Sequence, residues 1–257
     1  MNDPWDAQAY DKISSNVQLR WGQALLEKRK WLVNEIVMDA GAGSGNLTRV
    51  LADKVPKGQV YAVDADPAMV EQAKANLSGY KNVQVIHSGM DTVVLPMPIN
   101  VVFSNAALHW VPDLERTFSH FWKILKPGGE LLIECGGHGN LERQVSIIFN
   151  LMQSDQFREY FVDWKQPWHF PKEDEAETLL KKTGFIDIKV SLSKRTTIFS
   201  DRQSFAIFAK TVIMNPFLGY LPADKKEYFL DAFLSKIQES GWGWSLDNMR
   251  LFIFARK

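Results

Sequence analysis

The stretch Asp39-Ala40-Gly41-Ala42-Gly43-Ser44-Gly45 follows the short apolar run Ile36-Val37-Met38 and precedes an amphipathic helix pattern. Three glycines at alternate positions let the backbone turn tightly and let a ligand approach without a Cβ in the way. The spacing is Gly-x-Gly-x-Gly, whereas folds that hold a dinucleotide pyrophosphate at a helix N-terminus use Gly-x-Gly-x-x-Gly. Asp39 ends the strand, where its carboxylate would repel phosphate and attract an ammonium group. The stretch predicts a strand–loop–helix unit that binds a ligand without phosphates; a simple tight turn is the alternative.

Outward from this loop, strand-like runs alternate with helix patterns from Ile36 to Cys135. Most runs are continuous in apolar residues, which is typical of parallel strands covered on both faces. Between them, apolar residues recur every three or four positions, so that each helix turns one apolar stripe toward the sheet. This alternation predicts an α/β fold with a doubly wound sheet and right-handed crossovers.

The second half of the chain has a different pattern. Helical stripes and an aromatic stretch follow Gly139, and two strand-like segments lie at Ile186 to Leu192 and at Leu251 to Ala255. We find no linker, and we expect one domain over residues 1–257. Its predicted parts are N-terminal cap helices (1–35), a cofactor-binding core (36–140), and substrate cap helices with the last two strands (141–257).

Asp64 gives the loop a second ligand-binding feature. It ends the second predicted strand, 19 residues after Gly45, close to the ~20 at which an acidic side chain can hold ribose hydroxyls. Together with Asp39 this indicates a nucleoside that carries a ribose and a positive amino group but no phosphates. S-adenosylmethionine fits that description.

Several motifs along nearly a hundred residues resemble the class I S-adenosylmethionine-dependent methyltransferases. They are residues 37–48 and 60–70, then Gly89-Met90-Asp91 with Leu95-Pro96, residues 103–113, and Leu125 to Gly129. Residues 5–10 and 250–255 are similar to the trans-aconitate methyltransferase branch. The resemblance implies a Rossmann-like, mostly parallel seven-stranded sheet with one antiparallel strand and helical cap elements. It also implies methyl transfer to a small molecule, as in O-methylation of a carboxylic acid.

The resemblance also implies roles for individual residues. The methionine end of the cofactor would lie over the glycine loop, with Asp39 near its ammonium group, Asp64 on the ribose and Asp91 at the adenine. The full cofactor-binding set implied is Tyr10, Trp21, Asp39, Gly41, Ala42, Gly43, Asp64, Ala65, Met90, Asp91, Ser104, Asn105 and Ala106.

Some of these positions have a structural alternative. Asp91 could cap a helix or turn, Asn105 could satisfy a loop backbone, and Tyr10 could pack on the core. Asn100 stands where many relatives have an acidic residue, which puts one structural hydrogen bond in doubt.

The candidates for catalysis are His109, His138 and Arg143. A carboxylic acid is already an anion at neutral pH, because its pKa is roughly 4, so its methylation needs an anchor but no base. An amine or phenol would profit from a base such as His109 or His138. Arg143 or Arg202 could anchor an acid through a bidentate fork; a histidine at the cleft rim and solvated surface arginines are the alternatives.

Three classes of function remain open on the sequence. The first is methylation of a small acid. The second is methylation of a carrier-bound acyl chain or of a nitrogen, carbon or phenolic oxygen. The third is a module that binds S-adenosylmethionine without catalysis.

Composition limits the partners and the location. The 30 basic and 30 acidic residues give no net charge, which disfavours a nucleic-acid binder. The single cysteine, Cys135, excludes an internal disulfide and a cysteine-based zinc site, and no histidine pair has metal-ligand spacing, so no metal is expected. Without a signal-like N-terminus or a long apolar run, we expect a cytoplasmic protein, off the membrane, monomeric or homodimeric, with a small and acidic substrate.

Overall fold

The computed structural model describes residues 19–257. Two compact units are formed by these residues. The sheet unit contains residues 19–138, 168–193 and 250–257, and the helical unit contains residues 139–167 and 194–249. Two strands, β6 and β7, contribute residues to both units; the single-domain organisation stays a prediction.

Strands within the described residues form a seven-stranded sheet in the order β3-β2-β1-β4-β5-β7-β6. Their bounds are β1 Ile36–Ala40, β2 Gln59–Asp64, β3 Val83–His87, β4 Ile99–Asn105, β5 Leu125–Gly136, β6 Ile186–Ile198 and β7 Ser245–Arg256. β1, β2, β3, β4 and β5 pair in parallel, whereas β7 runs antiparallel to β5. The predicted α/β fold class is confirmed.

Helices connect these strands. The described chain begins in helical residues 19–26 (α1). The following helices are α2 Asn46–Lys54, α3 Pro67–Leu77, α4 Leu114–Ile124, α5 Glu142–Met152, α6 Glu173–Thr183, α7 Arg202–Phe208, α8 Asn215–Leu218 and α9 Ala223–Glu239. None of the helices in residues 19–257 is long and apolar enough to cross a bilayer.

The core of the sheet unit lies on both faces of the sheet because successive side chains of a strand alternate in direction. Met38 packs on one face with residues of α4 and α6, and Val37 packs on the other with residues of α1 and α2. The central strands are therefore buried on both sides, as their continuous apolar runs predict. Their carboxyl ends meet along one edge of the sheet.

The described structure differs from the sequence prediction around β5. The Lys-Pro-Gly-Gly run at residues 126–129 predicts the end of a helix and a turn into the next strand, but β5 begins at Leu125, directly after α4. An irregularity in the pairing with β4, between Ile99 and Val101, accommodates the run, and Gly128 takes a φ of 76° there. A bulge in the strand thus replaces the expected separate turn.

β6 and β7 are also longer than the sequence predicts, ending at Ile198 and beginning at Ser245. Most of the added residues are polar, and the apolar Ile198 and Leu246 stand among them singly, so they carry no apolar run. The pairing of these parts of β6 and β7 is instead visible in a side-chain contact: Asn248 of β7 donates to Arg195 O at 3.4 Å and to Thr197 Oγ1 at 3.2 Å, both in β6.

The helical unit has an aromatic core. Phe157 meets Phe229 of α9 edge-on at 4.8 Å between ring centroids, and Phe205 of α7 stacks on Phe233 at 6.2 Å. Phe157 and Phe161, which follow α5, therefore pack inside this unit.

Candidate functional site

The glycine loop is fastened to the neighbouring strand by its backbone. Gly41 N and Ala42 N both donate to Val63 O of β2, at 2.8 and 3.0 Å. Gly41 has a φ of +77°, and a Cβ built there would lie 2.1 Å from the Cβ of Ala107. Glycine at this position therefore permits both the left-handed turn and the close approach of the segment after β4.

Gly43 is constrained in a different way. Its φ is +55°, but no heavy atom of the described residues lies within 4 Å of a Cβ built there. No described atom fills this space, so a side chain at position 43 would be disfavoured only by backbone strain and by a bound ligand. Gly43 therefore faces room for a ligand.

Asp64 links the loop to the second strand. Its Oδ2 accepts from Gly43 N at 2.7 Å and its Oδ1 from Asp66 N at 2.9 Å. Burial raises the pKa of Asp64, while these backbone hydrogen bonds oppose the rise. Both carboxylate oxygens are held in fixed directions by backbone donors, which include Ala65 as well. A carboxylate has about four lone pairs, so the Asp64 carboxylate can still accept from a ribose hydroxyl.

Asp39 is buried, with 2% of its surface exposed. Its Oδ2 accepts from Thr48 Oγ1 of α2 at 2.7 Å. Burial raises the pKa of Asp39 to about 7, helped by the nearby Asp64 carboxyl and opposed by the Thr48 hydrogen bond. A cation placed beside Asp39 would stabilise the carboxylate and lower that pKa.

Met90 and Asp91 follow β3. The Met90 Cε lies 3.4 Å from the point where a Gly41 Cβ would stand, so Met90 borders the glycine loop. The Asp91 side chain is 18% exposed, and its Oδ2 lies 3.2 Å from Arg116 Nε of α4. Asp91 is thus oriented by an ion pair, and its contact with adenine stays a prediction.

The end of β4 closes the other side of the loop. Ser104 Oγ donates to Ala40 O at 2.7 Å, which uses the hydroxyl proton to join β4 to β1. Ala106 takes a φ of 59°, uncommon without glycine, and its N donates to Glu134 O at 2.7 Å. Asn105 stands opposite Glu134 in the β4–β5 register.

The N-terminal candidates have different outcomes. Tyr10 lies outside the described residues. Trp21 belongs to α1, and its ring centre lies 5.2 Å from the Arg250 guanidinium. Gly22 brings α1 close to α2, because a Cβ on Gly22 would lie 2.2 Å from the Leu47 side chain.

His109 lies in the turn after β4 and is only 9% exposed. Its Nδ1 accepts a hydrogen bond from Gly136 N at 3.3 Å, and its ring contacts those of Trp110 and Phe170. Burial, and then the positive Arg250, lower the pKa of His109 to about 3. The ring is therefore neutral at pH 7, with its proton on Nε2, and it is a weak base.

The other two catalytic candidates have different surroundings. His138 is exposed at the end of the sheet unit, where its backbone N donates to Pro171 O at 3.0 Å. Arg143 belongs to the helical unit and pairs with Asp247 at 2.8 Å, with its guanidinium 4.9 Å from the Trp242 ring centre. Within the described residues no cluster of three or more His, Cys, Asp or Glu could hold a metal ion.

Sequence reasoning missed a buried ion pair near this edge. Glu134 and Arg250 are 1% and 5% exposed, and Arg250 Nε lies 3.4 Å from Glu134 Oε1. The signal was present as a single charged residue inside the apolar run of β5. Asn100, where an acid was expected, still makes the structural hydrogen bond: its Oδ1 accepts from Ile36 N at 2.9 Å.

Comparison with known proteins identifies the kind of enzyme. The family described as a methyltransferase domain matches residues 37–129. The trans-aconitate 2-methyltransferase of Acidovorax sp. (strain JS42) is 25% identical over 260 residues, which cover 98% of this chain and 95% of that protein. The chain is an S-adenosylmethionine-dependent methyltransferase.

Two further relatives extend the comparison of this methyltransferase. A malonyl-[acyl-carrier protein] O-methyltransferase of Xylella fastidiosa (strain M23) is 31% identical over 139 residues, 52% of this chain and 47% of that protein. A solved structure, phosphoethanolamine N-methyltransferase 2 of Haemonchus contortus in complex with S-adenosyl-L-methionine, is 23% identical with a TM-score of 0.62. That match covers 98% of this chain, which spans 56% of the nematode chain.

The cofactor of the methyltransferase is S-adenosylmethionine, which supplies an electrophilic methyl group on a sulfonium. The geometry of the glycine loop fits it. Gly43 faces open space, Asp64 offers oriented carboxylate oxygens, and the buried Asp39 would gain from the cofactor's ammonium group. The individual cofactor contacts stay predictions.

Proposed function

We propose that this methyltransferase transfers the methyl group to a carboxylate oxygen of a small acid similar to trans-aconitate. The observation that carries the proposal is the burial of His109, which keeps its ring neutral. Its burial and its pKa of about 3 leave it neutral and weakly basic, so it could not deprotonate an amine or phenol efficiently. A carboxylic acid, with a pKa of roughly 4, is already an anion at neutral pH and needs no base.

The residues of the chain then act mainly by positioning. In-line methyl transfer requires the acceptor oxygen, the carbon and the sulfur to be collinear and protected from water. The glycine loop with Asp39 and Asp64 would bind the cofactor, and Asn105 and Ala106 would border the reacting end. His109 would keep its neutral ring as part of an apolar wall with Trp110.

An acid acceptor also needs a cation, and Arg143 is our candidate. Asp247 accepts ion pairs from both Arg143, at 2.8 Å, and Lys194, at 2.9 Å. Two cations share one carboxylate, so this cluster has a surplus of positive charge. The planar guanidinium of Arg143, held beside Trp242, is suited to bidentate binding of a carboxylate.

The product identifies the acceptor atom. The purified chain is incubated with methyl-labelled S-adenosylmethionine and, separately, with trans-aconitate, other small di- and tricarboxylic acids, amines and phenols. We expect label in an organic product only with acids, released as methanol by mild base because a methyl ester hydrolyses. A product that keeps its label in base would overturn the proposal.

Variants of His109 test whether this residue acts as a general base. His109→Asn retains an acceptor for Gly136 N, and we expect turnover within about tenfold of the unmodified protein, whereas loss of a general base costs roughly 10²–10⁴-fold. A loss in that larger range, with unchanged cofactor affinity, would contradict acid methylation.

Variants of Arg143 test the anchor. Arg143→Met should raise the KM for the acid at least about tenfold, as expected for a lost charge-assisted contact, with little change in the KM for the cofactor. Arg158→Met is the matched control, because Arg158 pairs with Asp155 on an exposed surface of the same unit. Equal KM values in the two variants would remove Arg143 from the acceptor site.

A carrier-bound acid is the second candidate acceptor. It is supported by the similarity to a malonyl-[acyl-carrier protein] O-methyltransferase over 139 residues, and it would also need no base. Methylation of a malonyl thioester on a carrier protein, without methylation of free acids, would favour it. Cytoplasmic location and a monomeric or homodimeric state stay predictions of the sequence.

A further inference from the structure

One buried group has no part in the function proposed so far. Arg250 of β7 is 5% exposed and lies against Glu134 of β5, which is 1% exposed. Arg250 Nε is 3.4 Å from Glu134 Oε1, and one terminal nitrogen is 3.4 Å from Glu134 O. Removing two charges from water costs several kcal/mol each, so a buried ion pair is weak evidence for a contribution to stability. Its presence therefore calls for another explanation.

The pair stands on the face of the sheet that carries the candidate cofactor site. Glu134 is in register with Asn105 of β4, and paired residues of neighbouring strands project to the same face. Asp39 is in register with Phe103, two residues before Asn105 on β4, so its side chain projects to this face as well. The pair thus belongs to a polar row at the carboxyl edge of the sheet.

Arg250 connects three segments of that edge. Its guanidinium lies 5.2 Å from the Trp21 ring centre on α1. It also donates to Glu134 O, the same carbonyl that accepts from Ala106 N at 2.7 Å. Ala106 has the positive φ of 59°, so this carbonyl holds a strained turn in place.

We propose that Arg250 is a positioning residue for methyl transfer: paired with Glu134, its guanidinium fixes Trp21 and the turn at residues 104–106 in the geometry that binds the cofactor. The proposal rests on the cofactor site being at this edge of the sheet. It does not depend on the acceptor.

The positive charge of Arg250 supplies an independent readout. It is the second cause, after burial, that lowers the pKa of His109. Loss of the charge should therefore move that pKa upward, toward 6.5, while burial still keeps it below that value. A pair that served stability alone could be replaced by neutral residues without loss of cofactor affinity.

The main test is the double variant Glu134→Gln/Arg250→Met. It removes both charges together, so that no carboxylate is left buried without its cation. Arg250→Lys is the conservative variant, which keeps the charge but loses the planar fork. Arg256→Met is the matched control: Arg256 lies on the same strand and pairs with Glu130 of β5, at the opposite end of their antiparallel register.

The affinities for S-adenosylmethionine and S-adenosylhomocysteine are measured by calorimetry, and the His109 pKa is measured by NMR of labelled histidine. For the double variant we expect both Kd values to rise at least about tenfold, since displacements of ~1 Å have large effects on a preorganised site. We expect the His109 pKa to rise as well. Arg250→Lys should lie between the double variant and the unmodified protein, and Arg256→Met should bind normally.

Two results would overturn the proposal. One is a folded double variant that binds both ligands like the unmodified protein, whatever its melting temperature. The other is a double variant that loses affinity but keeps an unchanged His109 pKa, with Arg250→Lys losing as much affinity as the double variant. Because these measurements need no acceptor, their failure is distinguishable from failure of the acid-methylation proposal, which only the product assay tests.

Discussion

A pair of glycine substitutions separates backbone strain from ligand exclusion at the candidate site. Gly43 and Gly128 both have a positive φ, +55° and +76°, and at neither does a described heavy atom lie within 4 Å of an added Cβ. Gly43 lies in the loop after β1, whereas Gly128 lies in the β5 bulge at the amino end of the strand. Alanine at either position therefore meets the same kind of strain, but only at Gly43 would it meet the cofactor.

The expected size of the effect follows from this geometry. A non-glycine residue in the left-handed region costs about 1–2 kcal/mol, and the stiffer unfolded chain offsets about 0.4–1 kcal/mol. Each variant should thus lose about 1 kcal/mol of unfolding free energy, which is ~2–4 °C in melting temperature for a chain of this size. Gly43→Ala should in addition lose at least about tenfold in affinity for S-adenosylmethionine, or ~1.4 kcal/mol.

Urea unfolding gives the stability of each variant without ligand, and calorimetry gives the Kd for S-adenosylmethionine. Gly128→Ala is expected to bind like the unmodified protein. If Gly43→Ala were destabilised as expected and still bound with unchanged affinity, the space beside Gly43 would not be the cofactor site, and our interpretation of the loop would be refuted.

Three further predictions follow from the same contacts. Gly41→Ala, whose Cβ would lie 2.1 Å from Ala107, should lose clearly more unfolding free energy than Gly43→Ala, as measured by urea unfolding; equal losses would show that the turn yields freely. Burial raises the Asp39 pKa from 3.8 to about 7. The folded protein therefore binds the Asp39 proton more tightly than the unfolded chain, and the unfolding free energy that this proton contributes below pH ~4 is lost as the pH rises through ~7. Asp39→Asn should flatten that part of the stability profile of the ligand-free protein, and an identical profile would contradict the raised pKa. Asn100→Leu should cost about 1–3 kcal/mol by leaving Ile36 N without its acceptor, whereas Asn100→Asp should remain within ~1 kcal/mol of the unmodified protein in the same assay.

Local patterns were sufficient for much of the fold because they reflect local physics. The glycine spacing at residues 41–45 predicted the turn between β1 and α2, since glycine adopts positive φ without a Cβ penalty. The apolar runs predicted the central parallel strands, because strands covered on both faces need apolar residues at every position. Toward the end of β6 and the start of β7 most residues are polar and this signal weakens, so these parts of the strands were missed.

For the candidate site, the sequence predicted the positions of the residues but not their protonation. The positions of Asp39 and Asp64 at strand ends could be read from the chain, because the strands that carry them are local features. The pKa values of their carboxyl groups could not be read from the chain. The raised pKa of Asp39 depends on burial and on Thr48, a residue of the following helix.

By itself the sequence determined the doubly wound fold, the position of the glycine loop and the class of cofactor, because each depends on local patterns of residues. Only the tertiary structure decided that His109 is buried and neutral and that Glu134 meets Arg250, 116 residues further along the chain. Burial and ion pairing arise between segments distant in sequence, and their energies depend on the exclusion of water that folding alone produces.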